Sequence, residues 1–130
     1  MLLTGLRIAA TGTTPEIIMN PSGSIIISGR SMSKNADEFY RKMDSWLEVY
    51  MMEPADMTRI DIWLEYFDRV NLSAFMSVLK KIKKVSQVAK EFEINWHYEE
   101  DDEDILAQGE NLSQILNIPV NMVMISEYNY

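Results

Sequence analysis

A single α/β domain is predicted, with a mixed β-sheet and about three helices in the order β-β-β-α-β-α-β-α-β. Three observations lead there. Isoleucine-rich stretches bracket a turn near the N-terminus, two later stretches alternate with period two, and the segments between and after them repeat apolar residues at helical spacing. Strands alternating with helices imply right-handed crossovers and a partly parallel sheet, and the early hairpin makes the sheet mixed. The 130 residues are enough for one domain, 1–130, with one core.

The first apolar stretch, Leu6 to Ala10, runs into the loop chemistry of Thr11-Gly12-Thr13-Thr14-Pro15. Glu16 to Asn20 and Ser24 to Gly29 form the hairpin, joined by Asn20-Pro21-Ser22-Gly23, where proline fixes φ and glycine permits a positive φ. A helix is expected from Asn35, its N-cap, with Glu38 in capping-box position and Phe39, Met43, Trp46, Leu47 and Tyr50 on one face. Pro54 closes it. The strand Thr58 to Phe67 places Ile60, Ile62, Leu64 and Tyr66 on the apolar side, with Arg59, Asp61, Trp63, Glu65 and Phe67 on the other.

A second helix is expected from Leu72 to about Phe92, with Phe75, Val78, Leu79, Ile82, Val85, Val88 and Phe92 inward. Glu93 to Tyr98 is a strand grouping Ile94, Trp96 and Tyr98. The acidic run Glu99 to Asp104 opens a third helix, about Asp102 to Leu116, where carboxylates suit the positive end of the helix dipole. Beyond Pro119, Val120 to Ser126 reads as the last strand.

Composition narrows the function classes. The formal net charge of −8 repels nucleic acid and anionic membranes, so neither is an expected partner. The apolar runs are too short to span a bilayer, Arg7 interrupts anything like a signal peptide, and a cytoplasmic location is expected. Without cysteine there is no disulfide framework or thiolate metal site. Lys80, Lys81, Lys83 and Lys84 form a basic cluster around Ile82, read as a solvated helix face. The ten methionines are read mainly as core filling.

Catalytic chemistry finds little support. His97 is the only histidine, which excludes a multi-histidine metal site, and it reads as a partly exposed strand residue on the face opposite Trp96 and Tyr98. No glycine-rich phosphate loop is present. Glu99 to Asp104 lacks the alternating ligands and central glycine of a calcium loop, and reads as a solvated, helix-capping turn. No cofactor, metal or catalytic residue is assigned.

Several segments together resemble one family. Thr13-Thr14-Pro15-Glu16-Ile17, Ile27-Ser28-Gly29-Arg30-Ser31, Asn35-Ala36 with Glu38-Phe39-Tyr40, and Trp46-Leu47-Glu48-Val49-Tyr50 resemble the N-terminal half of SiaC-type regulatory phosphoproteins. Leu64-Glu65-Tyr66-Phe67 resembles the central strand of that family. Asn95-Trp96-His97-Tyr98, followed by Asp102, Glu103, Asp104 and Gly109-Glu110, resembles its C-terminal signature. The resemblance implies a fold similar to the STAS domains of bacterial partner-switching systems. It also implies a non-enzymatic regulator acted on by a switch kinase and phosphatase, whose unphosphorylated form binds and activates a diguanylate cyclase, raising cyclic di-GMP and favouring biofilm growth.

At one position the chain departs from the family pattern. The family carries Asn-Thr-Ser-Ser after the central strand, its threonine being the phosphoacceptor; here Asp68-Arg69-Val70-Asn71 stands there, with Arg69 at the threonine position. A phosphate would add about −1.5 to −2 charges near a helix N-terminus; Arg69 fixes a positive charge instead. The expectation is either constitutive partner binding or a switch moved to Ser73 or Ser77, of which Ser73 is the better candidate, although a capping role for Ser73 is the stronger reading. Partner contact is expected at Asp68, Arg69, Val70 and Asn71, through Ser73, and at Trp63 unless another part of the domain covers it. The alternatives are an anti-sigma-factor antagonist with the same fold and a small enzyme using His97 and the acidic turn. The enzyme requires a concave pocket where His97 meets carboxylates.

Overall fold

Six strands follow chain order across one sheet, β1 to β6, in the computed structural model, which describes residues 3–125. β1 (Leu6–Ile8), β2 (Glu16–Met19) and β3 (Ser24–Ser31) pair antiparallel; β4 (Met57–Phe67), β5 (Glu91–Glu99) and β6 (Asn121–Ile125) extend the sheet in parallel from β3. The helices α1 (Ala36–Tyr50), α2 (Arg69–Val88) and α3 (Glu103–Leu116) are the three crossovers. Because each parallel strand is added on the same side of the last, right-handed connections place all three helices on one face. Burial agrees: Ile25, Ile27, Ile60, Ile62, Ile94 and Trp96 are buried beneath Met43, Leu47, Phe75, Leu79 and Ile82 of the helices. Each fully buried isoleucine there contributes about 2 kcal/mol relative to exposure.

The expected hairpin forms, with Ile17 opposite Ile27, and its turn is closed by the Gly23 amide donating to the Asn20 carbonyl at 2.9 Å. Asn35 stands at the N-cap position of α1 as expected, its carbonyl accepting the Phe39 amide at 3.0 Å, but its side chain makes no capping bond and its own amide donates to Ser33 Oγ at 3.0 Å. α2 begins three residues before the expected Leu72 because Asp68 caps it, Oδ1 accepting the Asn71 amide at 2.9 Å. It also ends earlier, at Val88, which is 54% exposed, and Phe92 belongs to β5. α3 has Asp102 as its cap, accepting the Ile105 amide at 3.0 Å. Ser126, with which the expected last strand ended, lies outside the described residues.

One irregularity reorders a strand. Gly29 pairs with Leu64 but Arg30 pairs with Tyr66, so Glu65 is an extra residue on β4, opposite the point where Gly29 takes φ +121°. A non-glycine residue is strained at that angle. Past the bulge the alternation inverts: Phe67 is buried at 5% exposure and Tyr66 stands out at 51%, the reverse of the regular pattern.

The basic cluster is only partly a solvated face. Lys81 is drawn between the helices, its Nζ 2.6 Å from Glu48 Oε2 and 3.9 Å from Asp44 on α1. That bond to Glu48 raises the lysine pKa and lowers the glutamate one.

Candidate functional site

The C-terminal ends of β3 and β4 meet the first turns of α1 and α2 at a buried polar knot. Ser31, the last residue of β3, donates from Oγ to Asn71 Oδ1 at 3.0 Å, and lies 2.5 Å from Tyr40 Oη. A serine hydroxyl has one proton, so Tyr40 is the donor in the second bond. Asn71 Oδ1 also accepts the Ser33 amide at 3.1 Å, and Nδ2 donates to the Ser33 carbonyl at 3.0 Å and to Asp68 Oδ1 at 2.8 Å. All the hydrogen-bonding capacity of the amide is used. The knot therefore locks the loop before α1 to the start of α2.

Electrostatics follow from these bonds. The Asn71 backbone amide, and then its side chain, hold the Asp68 carboxyl below its ordinary pKa. Burial pushes the Tyr40 phenol up to about 12, against a smaller opposing effect of its bond to Ser31. The first turn of α2 contains no acidic residue, and Arg69 makes no ion pair among the described residues. The positive end of the helix dipole and the guanidinium thus act together.

The expected contact residues divide. Arg69 and Val70 face solvent, Val70 at 67% exposure, and Asp68 is half-buried in its capping role. Asn71 is 1% exposed and fully bonded, so it supports this surface from within. Ser73 is exposed in the second turn of α2, and the capping function it was read to have belongs to Asp68. Tyr66 and Met32 were missed: with Arg30 and Glu65 they line a shallow depression beside the junction. Tyr66 was hidden by the bulge, which no regular alternation reveals.

Trp63 lies on the face of the sheet opposite the helices, half-buried and stacked on His97 with ring centroids 3.8 Å apart. His97 Nε2 lies 3.1 Å from Asp61 Oδ1, which also accepts Asn95 Nδ2 at 3.0 Å; Asp61 Oδ2 is 3.3 Å from Arg59 Nε. A cavity of about 360 Å³ does border His97, together with Trp63, Glu65, Glu99 and Asp102. This is the concavity an enzyme would need. In it His97 is held through Nε2 by the Asp61 carboxylate, which is itself shared with Asn95 and Arg59. Among the described residues no group of three or more His, Asp or Glu side chains is arranged to hold a metal ion, and no helix is long and apolar enough to cross a membrane.

No curated protein matches the chain by sequence. The crystal structure of apo-SiaC from Pseudomonas aeruginosa superposes with a TM-score of 0.80 at 22% identity, over 92% of this chain and 98% of that one. A second structure of SiaC from the same organism gives 0.78 at 19% identity, over 95% and 98%. A chain in the crystal structure of the diguanylate cyclase SiaD in complex with its activator SiaC, also from that organism, gives 0.80 at 21% identity, over 92% and 99%. At such identities these likenesses establish the fold. The family model for SiaC regulatory phosphoproteins matches residues 8–125, and with nearly the whole described chain inside that match, the protein belongs to the SiaC family of regulatory phosphoproteins.

Proposed function

We propose that this chain is a non-catalytic signalling protein that binds and regulates a partner protein, a diguanylate cyclase, through the start of α2 and the adjoining ends of β3 and β4. One observation carries the reading: Tyr66, Val70 and Met32, all exposed, stand around a frame fixed by the Asn71 knot. Exposed apolar side chains on a rigid, fully hydrogen-bonded support fit a protein interface, in which a few anchors carry most of the affinity. Family membership supports the regulatory role, and a SiaC protein is the activator in the cyclase complex of similar fold.

In this reading Arg69 replaces the phosphoacceptor with a permanent positive charge. Binding is then constitutive, or control has passed to Ser73, which is exposed one turn further along the same helix. The decisive experiment adds the purified chain to the diguanylate cyclase encoded in the same genome and follows cyclic di-GMP synthesis. Saturable activation is expected, weakened by Val70→Asp and Arg69→Glu at unchanged thermal stability. Activation unaffected by both variants, or no complex with the cyclase, would overturn the reading. Intact-mass analysis after incubation with the cognate kinase locates any phosphate; one on neither Ser73 nor Ser77 removes the relocated switch.

A further inference from the structure

With all three helices on one side, the opposite face of the sheet carries no covering element among the described residues, and its side chains fall into two zones. Toward the N-terminal ends of the parallel strands they bond to each other. Arg59 Nε lies 3.4 Å from Glu93 Oε2 and also reaches Asp61, and Asn121 Nδ2 donates to Asn95 Oδ1 at 3.0 Å. That zone satisfies itself. Toward the C-terminal ends, Trp63, His97 and Ile125 instead line the cavity of about 360 Å³, within the size range of cavities that take small ligands or single side chains. The Cα partner of Trp63 on β3 is Ser28, whose side chain is too short to screen an indole.

Among the described residues, the carboxylates Glu65, Glu99 and Asp102 line this cavity and no lysine or arginine does. A neighbouring depression shares Glu99 and Asp102 and continues through Asp101, Glu103 and Asp104. Arg30 partly offsets Glu65 at 3.4 Å, and Asp102 caps α3, but Glu99 forms no ion pair among the described residues. The carboxylates are spread round the rim and do not converge as a metal cage would require. Separated acids around the edge of the stacked Trp63–His97 pair suit a planar organic cation, which packs against aromatic rings and offers several donors at once.

We propose that the Trp63–His97 face is a second docking site, for a basic segment of a partner protein that inserts an arginine side chain beside Trp63. Its guanidinium meets Glu99 and Asp102, and further basic residues of the same segment run along Asp101 to Asp104. The site lies on the sheet face and not at the start of α2, so it stands or falls separately from the function proposed above.

The test is a titration of ¹⁵N-labelled protein with a blocked nonapeptide of alternating arginine and glycine, beside the same peptide with glutamate for arginine. The arginine peptide is expected to give saturable shifts at the Trp63 indole N–H, His97 and Glu99, weakening as salt is raised. Trp63→Ala and Glu99→Gln are each expected to weaken it about tenfold. Glu99 is exposed, so Glu99→Gln keeps the test valid even where the tryptophan variant fails to fold. Three results would overturn the proposal: no saturable shift, shifts confined to Asp101–Asp104 and indifferent to both variants, or the same resonances moving with protein concentration alone, which would assign the face to a second copy of this chain.

Discussion

The indole of Trp96 lies so close to the backbone of Gly109 that a methyl group built on the glycine would come within 2.5 Å of Cδ1. Indole Nε1 meanwhile donates to the Ile105 carbonyl, one turn earlier on α3, at 2.9 Å. One side chain of β5 therefore sets both the distance and the rotation of the helix that packs on it. Gly109→Ala is expected to cost about 2 kcal/mol, because the bonded indole cannot move aside. Urea unfolding measures it. A cycle with Trp96→Phe should be non-additive, since the two residues share one contact.

Asn71→Ala removes the amide that joins Ser31, Ser33 and Asp68, and is expected to destabilise the fold by about 2 kcal/mol through the buried groups it leaves unpaired. Asn71→Asp should be worse than alanine at neutral pH, because it sets a second carboxylate against Asp68 and lacks the two amide donors. The gap between the two variants narrows in acid.

Asp68→Asn isolates the charge of the α2 cap. The folded-state pKa of Asp68 is depressed, so its stabilising contribution is present above the ordinary carboxylate range near pH ~4 and is lost as pH falls through the folded value. Wild type is therefore expected to be the more stable protein at neutral pH, and the two melting curves should converge in acid.

Tyr40 gives the opposite dependence at the alkaline end. Its folded pKa of about 12 exceeds that of an unfolded tyrosine, about 10. The contribution is full below the unfolded value and declines as pH rises toward the folded one, an alkaline loss of about 2–3 kcal/mol. Tyr40→Phe is expected to flatten that decline, as denaturant titrations between pH 9 and about 12 would reveal.

The order of elements was legible because period-two and helical spacings hold over whole segments, as at Ile60 to Leu64 and Phe75 to Val85. Errors fell where a single local event outweighs periodicity. Asp68 starts α2 early through one side-chain bond, and Glu65 inverts the end of β4. The candidate site was proposed from the sequence as a segment, without its division of labour. Asn71 looks like any polar residue beside a helix start; only its contacts with Ser31 and Ser33, some forty positions away along the chain, turn it inward. Pairing of Trp63 with His97 likewise depends on the strand register, which no local pattern announces.

The supernumerary Glu65 settles which ring of an aromatic pair meets solvent. Were β4 to run on regularly with Glu65 paired, its zigzag from Met57 onward would swing Tyr66 under the helices and Phe67 outside, while moving Asp68 out of step with the carbonyl of Ser31 to which its amide now donates. The helix cap and the knot beneath it would lose their alignment together. A chain of the same composition whose β4 ran without the bulge would thus be unable to present the side chains proposed to dock.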